Sequence, residues 1–372
     1  MSTLVINKEN LRHNIEQVKK YAEKSGKDDN GDKLKIIAVV KANGYGLGIV
    51  EYTKFLIDNG ISYFAVSTLQ EALKLRQAGI KNDILMLSST AIKEDVKTLV
   101  ENDIIITIGS RQDIKVAEEV SLEKNKKIRS HLKIDTGFGR YGFIYNEREK
   151  MVEALKEIKN IKIEGTFSHF SLSFYDDKYT KLQFERFINV IEVLKMNEIH
   201  TGILHICNSS AFLKYPNMHL NAVRVGSAFT GNLAFKCHIG LKKVAHLESD
   251  VVEIKELPKG FNIGYSNIYK TKAKTKVAIV PCGYMEGLNI RNGRDMFRVV
   301  DKLRYIVRDI KDGLKKQAIY VKIKEQNCKV LGRVGTYHII CDITGKVINI
   351  GDKVALNINP KFVDSCILRE YR

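Results

Sequence analysis

A chain of 372 residues is too long for one ordinary domain, and its 44% hydrophobic content is sufficient for more than one core. Lysine and arginine outnumber aspartate and glutamate by 61 to 43, but the excess is spread over helix faces without interleaved aromatic residues, which argues against a nucleic-acid partner. The six cysteines form no CxxC pair and no apolar run reaches membrane-spanning length, so we expect free thiols, no metal site, no membrane partner and a cytoplasmic protein.

Apolar runs alternate with helical segments through the first part of the chain. After an amphipathic helix near residues 8–25, eight short apolar runs follow at 34–40, 62–66, 83–87, 103–108, 130–134, 163–167, 202–206 and 221–223. Intervening segments such as 69–78 and 177–197 have apolar residues at helical spacing. Eight strands alternating with helices predict an α/β fold, a TIM-like (β/α)8 barrel, and we place this domain at residues 1–243.

The pattern then changes to short strands without intervening helices, at 250–256, 276–282, 318–324, 328–334, 337–343, 353–356 and 366–369. This predicts a mostly-β domain over residues 244–372. One segment near 294–316 differs, because it has an apolar stripe at helical spacing and a basic opposite face. Such a stripe needs a partner surface, so we interpret this insertion as a packing helix rather than a nucleic-acid element.

Lys41 directly follows the first predicted strand, and three glycines at positions 44, 46 and 48 come after it. In a (β/α)8 barrel, catalytic residues lie at the carboxyl ends of the strands. A lysine at this apolar edge can lose its charge and act as a nucleophile that forms a Schiff base, although a solvated loop lysine is equally compatible with the position. Polar residues also gather at the ends of the later strands, namely Lys133, Arg140, His169, His205, Asn208, Ser209, Arg224 and Gly226.

The sequence around the lysine favours the catalytic interpretation. Val-Val-Lys-Ala-Asn-Gly-Tyr-Gly-Leu-Gly closely resembles the lysine motif of the alanine racemase family, whose members use pyridoxal 5′-phosphate (PLP). The similarity continues in Lys-Ile-Asp-Thr-Gly at 133–137, His-Ile-Cys-Asn-Ser at 205–209 and Val-Arg-Val-Gly-Ser at 223–227. In the second half, Ile-Gly-Tyr-Ser at 263–266 and Pro-Cys-Gly-Tyr-Met-Glu-Gly at 281–287 resemble further family segments. The resemblance thus covers nearly the whole chain.

The resemblance implies a PLP cofactor attached to Lys41. The residues expected to contact it are Tyr45, His205, Asn208, Ser209, Arg224, Gly226, Ser227 and Tyr371. Arg224 would face the pyridine nitrogen and, being always protonated, would keep that nitrogen unprotonated, which makes the ring a weaker electron sink. Ser209 and the amides of Gly226 and Ser227 would bind the phosphate. Taken alone, Asn208 and Ser209 also fit an ordinary helix cap.

The resemblance further implies two catalytic bases, the motif lysine and Tyr265, with the tyrosine supplied by the partner subunit of a head-to-tail homodimer. His169 would be hydrogen-bonded to the tyrosine, and Arg140 would hold the substrate carboxylate. Lys133 would orient Arg140, and some family members carry this lysine as a carbamate. From the residues alone, His169 fits equally well as a core histidine and Arg140 as a loop residue paired with Asp135.

Three departures from the family pattern lie in the second half of the chain. Thr336 and Tyr337 stand where the family has methionine and aspartate, Glu286 replaces an aspartate, and the 294–316 insertion is unusual. Because Tyr284 and Thr336 are expected at the substrate entrance, these differences bear on the choice of amino acid. We predict a racemase of alanine, with another small amino acid such as serine as the alternative.

Two other classes of PLP protein fit parts of the sequence less well than a racemase does. A barrel-type PLP amino-acid decarboxylase would use a β-domain cysteine, for which Cys282 is the candidate, but it would pair the pyridine nitrogen with a glutamate rather than Arg224. A non-catalytic PLP carrier would lack both the β domain and Tyr265. The racemase interpretation accounts for more of the chain than either.

Overall fold

The computed structural model describes residues 2–24, 33–233, 235, 238–290, 299–314 and 318–372. The chain forms two compact units. One unit is Lys8–Val244, and the other combines Met1–Asn7 with Ala245–Arg372. The strand nearest the N-terminus therefore belongs to the unit built from the C-terminal third of the chain.

The first unit is a closed barrel of eight parallel strands, as the alternating pattern predicts. In chain order the strands are Lys35–Val39, Tyr63–Val66, Asp83–Ser89, Ile105–Ile108, Ile128–Asp135, Ile161–Phe167, Ile203–His205 and Ala222–Val225. Each strand pairs with the next, and the eighth pairs with the first, which closes the barrel. A two-residue strand, Phe143–Ile144, pairs with the end of the fifth strand. Aliphatic side chains on alternate positions, including Ile37 and Val39, pack as a buried cluster.

Helices connect the barrel strands and have clear sequence starts. Their bounds are Lys8–Lys24, Ile49–Asp58, Leu69–Gln77, Lys93–Glu101, Arg111–Lys124, Arg148–Lys156, Asp177–Met196 and Ser209–Lys214, with a 3₁₀ turn at Pro216–Met218. Thr68 and Glu71 form a reciprocal capping box at the start of the third helix. Asp176 and Asn208 cap two of the later helices through their side chains. These caps lie beside the carboxyl ends of the strands, where the candidate residues are.

The second unit is mostly β, as predicted. Its strands are Thr3–Ile6, Ala245–Asp250, Glu253–Leu257, Asn262–Ile263, Tyr269–Lys270, Thr275–Val280, Tyr320–Ile323, Gln326–Leu331, Ile339–Asp342, Lys353–Leu356 and Leu368–Tyr371. Nine of them form one sheet, and the pair 262–263 and 269–270 forms a separate hairpin. All pairings in the large sheet are antiparallel except that of Thr3–Ile6 with Leu368–Tyr371. Short 3₁₀ turns occur at Tyr265–Asn267 and Pro360–Phe362.

The insertion contains a helix, Val299–Leu314, and the rest of the predicted segment, 294–298 and 315–316, lies outside the described residues. The aliphatic side chains between Val299 and Ile310 are 49–68% exposed, so this part of the helix is not packed as predicted. No helix in the described part of the chain is long and apolar enough to cross a membrane. Five cysteines are free thiols, whereas Cys237 lies outside the described residues.

Candidate active site

Lys41 lies at the carboxyl end of the first barrel strand, where the backbone makes one left-handed turn. Residues 42–45 have φ values between 51° and 66°. A left-handed conformation is unfavourable for residues that carry a Cβ, so contacts elsewhere must hold it. Glu71 supplies one, because its Oε1 accepts a hydrogen bond from the Ala42 amide at 2.6 Å while its other oxygen completes the capping box with Thr68. The Glu71 carboxylate thus fixes the backbone immediately after Lys41.

The surroundings of Lys41 favour the neutral amine. Burial is the largest influence and lowers the pKa of Lys41, and the nearby Arg140 and Arg224 lower it further. Glu71 acts in the opposite direction and raises that pKa. Because the net pKa is lowered, Lys41 is a better nucleophile and a better proton acceptor than a surface lysine.

A cavity of about 190 Å³ opens beside Lys41. Its lining residues are Val39, Lys41, Tyr45, Leu87, His169, Asn208, Ser209, Ser210, Arg224, Gly226 and Ser227. None of them is acidic. A Cβ at Gly226 would lie only 2.2 Å from the Tyr45 hydroxyl oxygen, so glycine is required for the tyrosine to approach this wall. The cavity suits an anionic ligand that carries both polar and apolar parts.

Arg224 is a fully buried cation held by acceptors only. Its Nη2 donates to the carbonyl oxygens of Ser168 and Ile206 and to His169 Nδ1, at 2.7, 3.1 and 3.1 Å. Its Nη1 donates to the carbonyl oxygen and Nδ1 of His205, at 3.1 and 2.7 Å. Burial lowers the pKa of Arg224 to about 10, so it stays charged at neutral pH. None of the described hydrogen bonds uses Nε, which is left as a donor toward the cavity that Arg224 lines.

The hydrogen bonds of Arg224 determine the tautomers of two buried histidines. Because a guanidinium can only donate, His205 Nδ1 must accept, and the ring proton lies on Nε2. That proton points at His131 Nδ1, 2.9 Å away, and His131 Nε2 in turn donates to the Tyr63 hydroxyl at 2.9 Å. Burial lowers the pKa of His131 to about 3 and that of His205 well below its ordinary value. His205 therefore lies behind Arg224 and outside the cavity lining, where it orients the guanidinium.

His169 also accepts from Arg224, so its free ring nitrogen, Nε2, carries the proton when the ring is neutral. Burial, followed by the Arg224 and Lys133 cations, lowers the pKa of His169 well below its usual value and keeps the ring neutral. Lys133 is buried with its Nζ over the Phe167 ring, 4.7 Å from the centroid, and burial likewise lowers its pKa. The site thus contains one permanent buried cation surrounded by groups that favour their neutral forms.

Arg140 lies in an exposed loop and is absent from the cavity lining. Its guanidinium packs over the Phe138 ring at 4.3 Å from the centroid. Asp135 does not pair with that guanidinium. Its carboxylate instead accepts four backbone N–H groups, from residues 137–140, at 2.8–3.0 Å. Burial alone would raise the pKa of Asp135, but these hydrogen bonds outweigh it and the pKa is lowered. Asp135 shapes the loop that carries Arg140.

One wall of the cavity is built from residues that follow the seventh and eighth strands. Asn208 caps the following helix, since its Oδ1 accepts from the amides of residues 210 and 211 at 3.1 and 3.0 Å. Ser209 Oγ accepts from the amides of Gly226 and Ala228, at 3.0 and 3.3 Å. Together with Ser227 this corner presents hydroxyl and amide groups to the cavity. The cap interpretation of Asn208 is therefore correct for this structure.

In the second unit, two of the predicted site residues are hydrogen-bonded to each other. The Tyr284 hydroxyl and Thr336 Oγ1 are 2.8 Å apart, and the Tyr284 amide donates to the carbonyl oxygen of Gly335 at 3.1 Å. A Cβ added at Gly335 would lie 3.8 Å from the ring of Tyr265, so all these residues share one surface of the unit. Tyr265 itself is 67% exposed on the 3₁₀ turn of the hairpin. Tyr371 ends the last strand, where it is opposite Ile6.

Sequence reasoning missed Glu71, Tyr63 and His131. His131 is two residues before Lys133 on one strand, so the period of two places both side chains on the same face, and this signal was available. Glu71 and Tyr63 offered no comparable signal, because their partners are distant in the sequence.

Comparisons with known proteins cover almost the whole chain. The alanine racemase N-terminal domain model matches residues 6–233, and the alanine racemase C-terminal domain model matches residues 244–364. Alanine racemase 1 of Caldanaerobacter subterraneus subsp. tengcongensis is 31% identical over 352 residues, which are 93% of this chain and 82% of that protein. The alanine racemase of Carboxydothermus hydrogenoformans is 37% identical over 290 residues, which are 76% of this chain and 75% of the relative.

Among solved structures, alanine racemase of Clostridium difficile 630 superimposes with a TM-score of 0.81 at 28% sequence identity. The match covers 99% of this chain and 88% of that one. Both family models, the curated relatives and this structural match agree, and the chain belongs to the alanine racemase family.

Proposed function

We propose that this enzyme interconverts L- and D-alanine with PLP as its cofactor. The observation that carries the proposal is the cavity lined by both Lys41, whose pKa is lowered, and the buried, charged Arg224. The names of the relatives agree with this activity. The reaction requires that the α-proton leaves one face of the substrate carbon and that a proton returns to the other face.

The residues of the cavity fit PLP. When bound, the cofactor supplies an aldehyde that condenses with amines and a pyridine ring that accepts electron density. Lys41 provides the amine that would hold the aldehyde, and Arg224 Nε is the donor left for the pyridine nitrogen. The Ser209 and Ser227 hydroxyls and the Ser227 amide could donate to a phosphate, with no carboxylate among the lining residues to repel it. The Gly226 amide already donates to Ser209 Oγ, so it would reach a phosphate only if that hydrogen bond were exchanged. The close packing of Tyr45 on Gly226 closes this wall.

Two bases act in the proposal, Lys41 on one face of the substrate and Tyr265 of the partner subunit on the other. A phenol with an ordinary pKa near 10 is a poor base at neutral pH, so it needs a donor that stabilises the phenolate. His169 is suited to this task, because Arg224 occupies its Nδ1 and leaves the Nε2 proton available. The neighbouring cations Arg224 and Arg140 favour the phenolate in the same way.

In this proposal, substrate recognition depends on two groups of residues, one cationic and one that carries hydroxyl groups. Arg140 binds the substrate carboxylate in this proposal, and Lys133 orients it, whether as the neutral amine or as a carbamate. The proposal assigns the Tyr284–Thr336 pair to the substrate entrance, and the two hydroxyls are hydrogen-bonded to each other at 2.8 Å. Two hydroxyls bonded in this way still have one free proton and free lone pairs, so the pair is compatible with alanine and with serine, and the incubations below distinguish the two substrates.

The first test is incubation of the purified protein and PLP with L-alanine and, separately, L-serine in deuterated water. Loss of the α-proton is followed by NMR, and chirality is followed by chiral chromatography. Deuterium in both enantiomers of alanine is the expected result. Exchange confined to serine would assign a serine-type racemase, and absence of exchange with both amino acids would contradict the racemase proposal.

The two-base arrangement is tested by Tyr265→Phe, with Tyr269→Phe in the same hairpin as the matched control. We expect the Tyr265 variant to bind PLP and to lose racemisation, while one enantiomer still exchanges its α-proton through Lys41. The control keeps full activity. Racemisation at the normal rate by the Tyr265 variant would show that another group serves the second face.

The shared site is tested by co-expressing Lys41→Ala subunits with Tyr265→Ala subunits under separate affinity tags. If each site takes its lysine from one subunit and its tyrosine from the other, every mixed dimer has one intact site. Random mixing in equal amounts then restores about a quarter of the normal number of sites. If both residues come from one chain, the mixture stays inactive.

The decarboxylase alternative receives no support from Cys282. The thiol is buried, and burial raises its pKa to about 12, so it is a poor nucleophile and proton donor at neutral pH. The pyridine partner in the proposed site is Arg224 rather than a glutamate. The same incubations detect this alternative as release of carbon dioxide.

A further inference from the structure

The helix of the insertion, Val299–Leu314, exposes an apolar face. Six aliphatic side chains, Val299, Val300, Leu303, Ile306, Val307 and Ile310, are 49–68% exposed. At 3.6 residues per turn they occupy an arc of about 120° on one side of the helix. We call this face the aliphatic stripe. A contiguous exposed stripe of this kind marks an interaction surface.

Charged residues are unevenly distributed around the helix. At about 100° per residue, Lys302 lies at one border of the aliphatic stripe, and Arg304 and Lys311 lie at the other. Asp301 lies nearly opposite the stripe, whereas Asp309 lies only about 20° beyond Lys302. Asp301 is also neutralised locally, since its Oδ1 is 2.9 Å from Nη1 of Arg304. The charged residues nearest to the stripe are therefore basic on both borders, with Asp309 next after Lys302.

The surrounding sequence adds to this charge. The range 291–316 contains nine basic and four acidic residues, and the whole chain has a formal net charge of +18. Two copies of such a stripe packed together would bring their basic borders close to each other. A nucleic acid would satisfy the basic residues but offers no apolar layer for the aliphatic side chains. Only a surface that combines apolar material with anionic groups complements both features.

We propose that the helix Val299–Leu314 binds the surface of an anionic phospholipid membrane. The helix would lie in the plane of the interface with the aliphatic stripe among the acyl chains and the bordering lysines and arginine at the headgroups. This is peripheral attachment, consistent with the absence of a spanning helix among the described residues. It revises the expectation of no membrane partner, and it does not depend on the proposed reaction.

The test is flotation of the full-length holoenzyme with vesicles of pure phosphatidylcholine or with vesicles that contain roughly one-third phosphatidylglycerol. We expect binding to the anionic vesicles only, and weaker binding at higher salt. Lys302→Gln with Lys311→Gln should weaken binding about fivefold for each residue, the equivalent of about 1 kcal/mol per basic residue at an anionic surface. Racemisation in solution should stay unchanged, because neither lysine belongs to the proposed catalytic machinery.

The stripe itself is tested by Leu303→Gln with Ile306→Gln. The matched control is Val347→Gln with Ile350→Gln, two exposed aliphatic residues elsewhere in the same unit that are 78% and 64% exposed. We expect a loss of more than about tenfold in vesicle binding for the stripe variant and none for the control. Equal binding by the stripe variant and the unmodified protein would overturn the proposal, because the attraction would then come from net charge alone.

Partners of the aliphatic stripe other than a membrane would give different results in these experiments. If the stripe variant lowers the sedimenting mass of the vesicle-free protein, the stripe is an interface between copies and the proposal is wrong. If the holoenzyme binds double-stranded DNA through Lys302 and Lys311 but binds no anionic vesicles, the partner is a nucleic acid and the proposal is equally wrong.

Discussion

Replacement of His131 by leucine tests the hydrogen-bonded chain behind Arg224. His131 is fully buried, accepts from His205 and donates to Tyr63, an arrangement that requires a neutral ring. Its pKa is about 3 in the folded protein because of burial, against an ordinary value of 6.5 in the unfolded chain. Unfolding below pH 6.5 must therefore add a proton to this residue.

The size of the effect follows from these two values. At pH 5.5 an unfolded histidine is about nine-tenths protonated, whereas the folded His131 binds almost no proton, so unfolding takes up about 0.9 proton at this residue. The folded pKa is depressed, so the stabilisation by the neutral ring is fully present above pH 6.5 and is lost as the pH falls toward 3. Between pH 7.5 and 5.5 the loss is about 1.4 kcal/mol in unfolding free energy.

The assay is a pH-stat measurement of proton uptake when the cofactor-free protein is unfolded by guanidinium chloride at pH 5.5. His131→Leu should take up about 0.9 proton fewer than the unmodified protein. His200→Leu is the control, because this ring is exposed and lies in water in both states. If the His131 variant takes up as many protons as the unmodified protein, the ring is charged in the fold and the assignment of tautomers along the chain is wrong.

Two further predictions concern the backbone near the site and the barrel itself. Glu71→Gln removes the charge that raises the pKa of Lys41, so PLP should attach to the cofactor-free protein with a pH midpoint lower than normal, and an unchanged or higher midpoint would contradict this. Gly202→Ala places a Cβ 2.2 Å from the Glu164 carbonyl oxygen at a φ of +58°, whereas Gly79→Ala has a φ of +78° and meets nothing within 4 Å. In urea unfolding we expect Gly79→Ala to lower the free energy of unfolding by about 1–2 kcal/mol, from the backbone conformation alone. Gly202→Ala should lower it by about 1–3 kcal/mol more, because of the close contact. Equal losses for the two variants would show that the contact relaxes freely.

The barrel could be predicted from the sequence because its signals are local. Eight apolar runs separated by helical periodicity require only neighbouring residues to be recognised, and the carboxyl ends of the strands then indicate the face that carries the site. The contents of the site came from motifs rather than from periodicity. Residues such as Arg224 and Ser209 acquire a role only through the family resemblance, since a lone arginine or serine in a loop has no specific meaning.

Features that depend on distant partners could not be predicted in this way. The strand Thr3–Ile6 pairs with residues 245–248 and 368–371, and nothing in its four residues indicates partners so far along the chain. The left-handed turn after Lys41 contains Asn43, which tolerates that conformation, but also Ala42, which disfavours it, and a carboxylate from the third helix helps to hold the turn. The stripe on Val299–Leu314 was recognised, but its exposure depends on where the rest of the unit lies.

The series of hydrogen bonds from Arg224 through two histidines to Tyr63 explains why a buried cation is compatible with a barrel interior. The guanidinium has no acceptor atom, so it can only donate to His205. His205 must then donate to His131, and His131 must donate to Tyr63. A second positive charge here would leave two donors facing each other without water. Burial, and after it the charge of Arg224, lowers the pKa values of His131 and His205 and keeps both rings neutral. Arg224 consequently stays fixed and protonated, so a ring nitrogen placed against its Nε receives a hydrogen bond but no proton. In the proposed function, residues deep in the barrel would thereby influence the protonation state of a ligand that they do not touch.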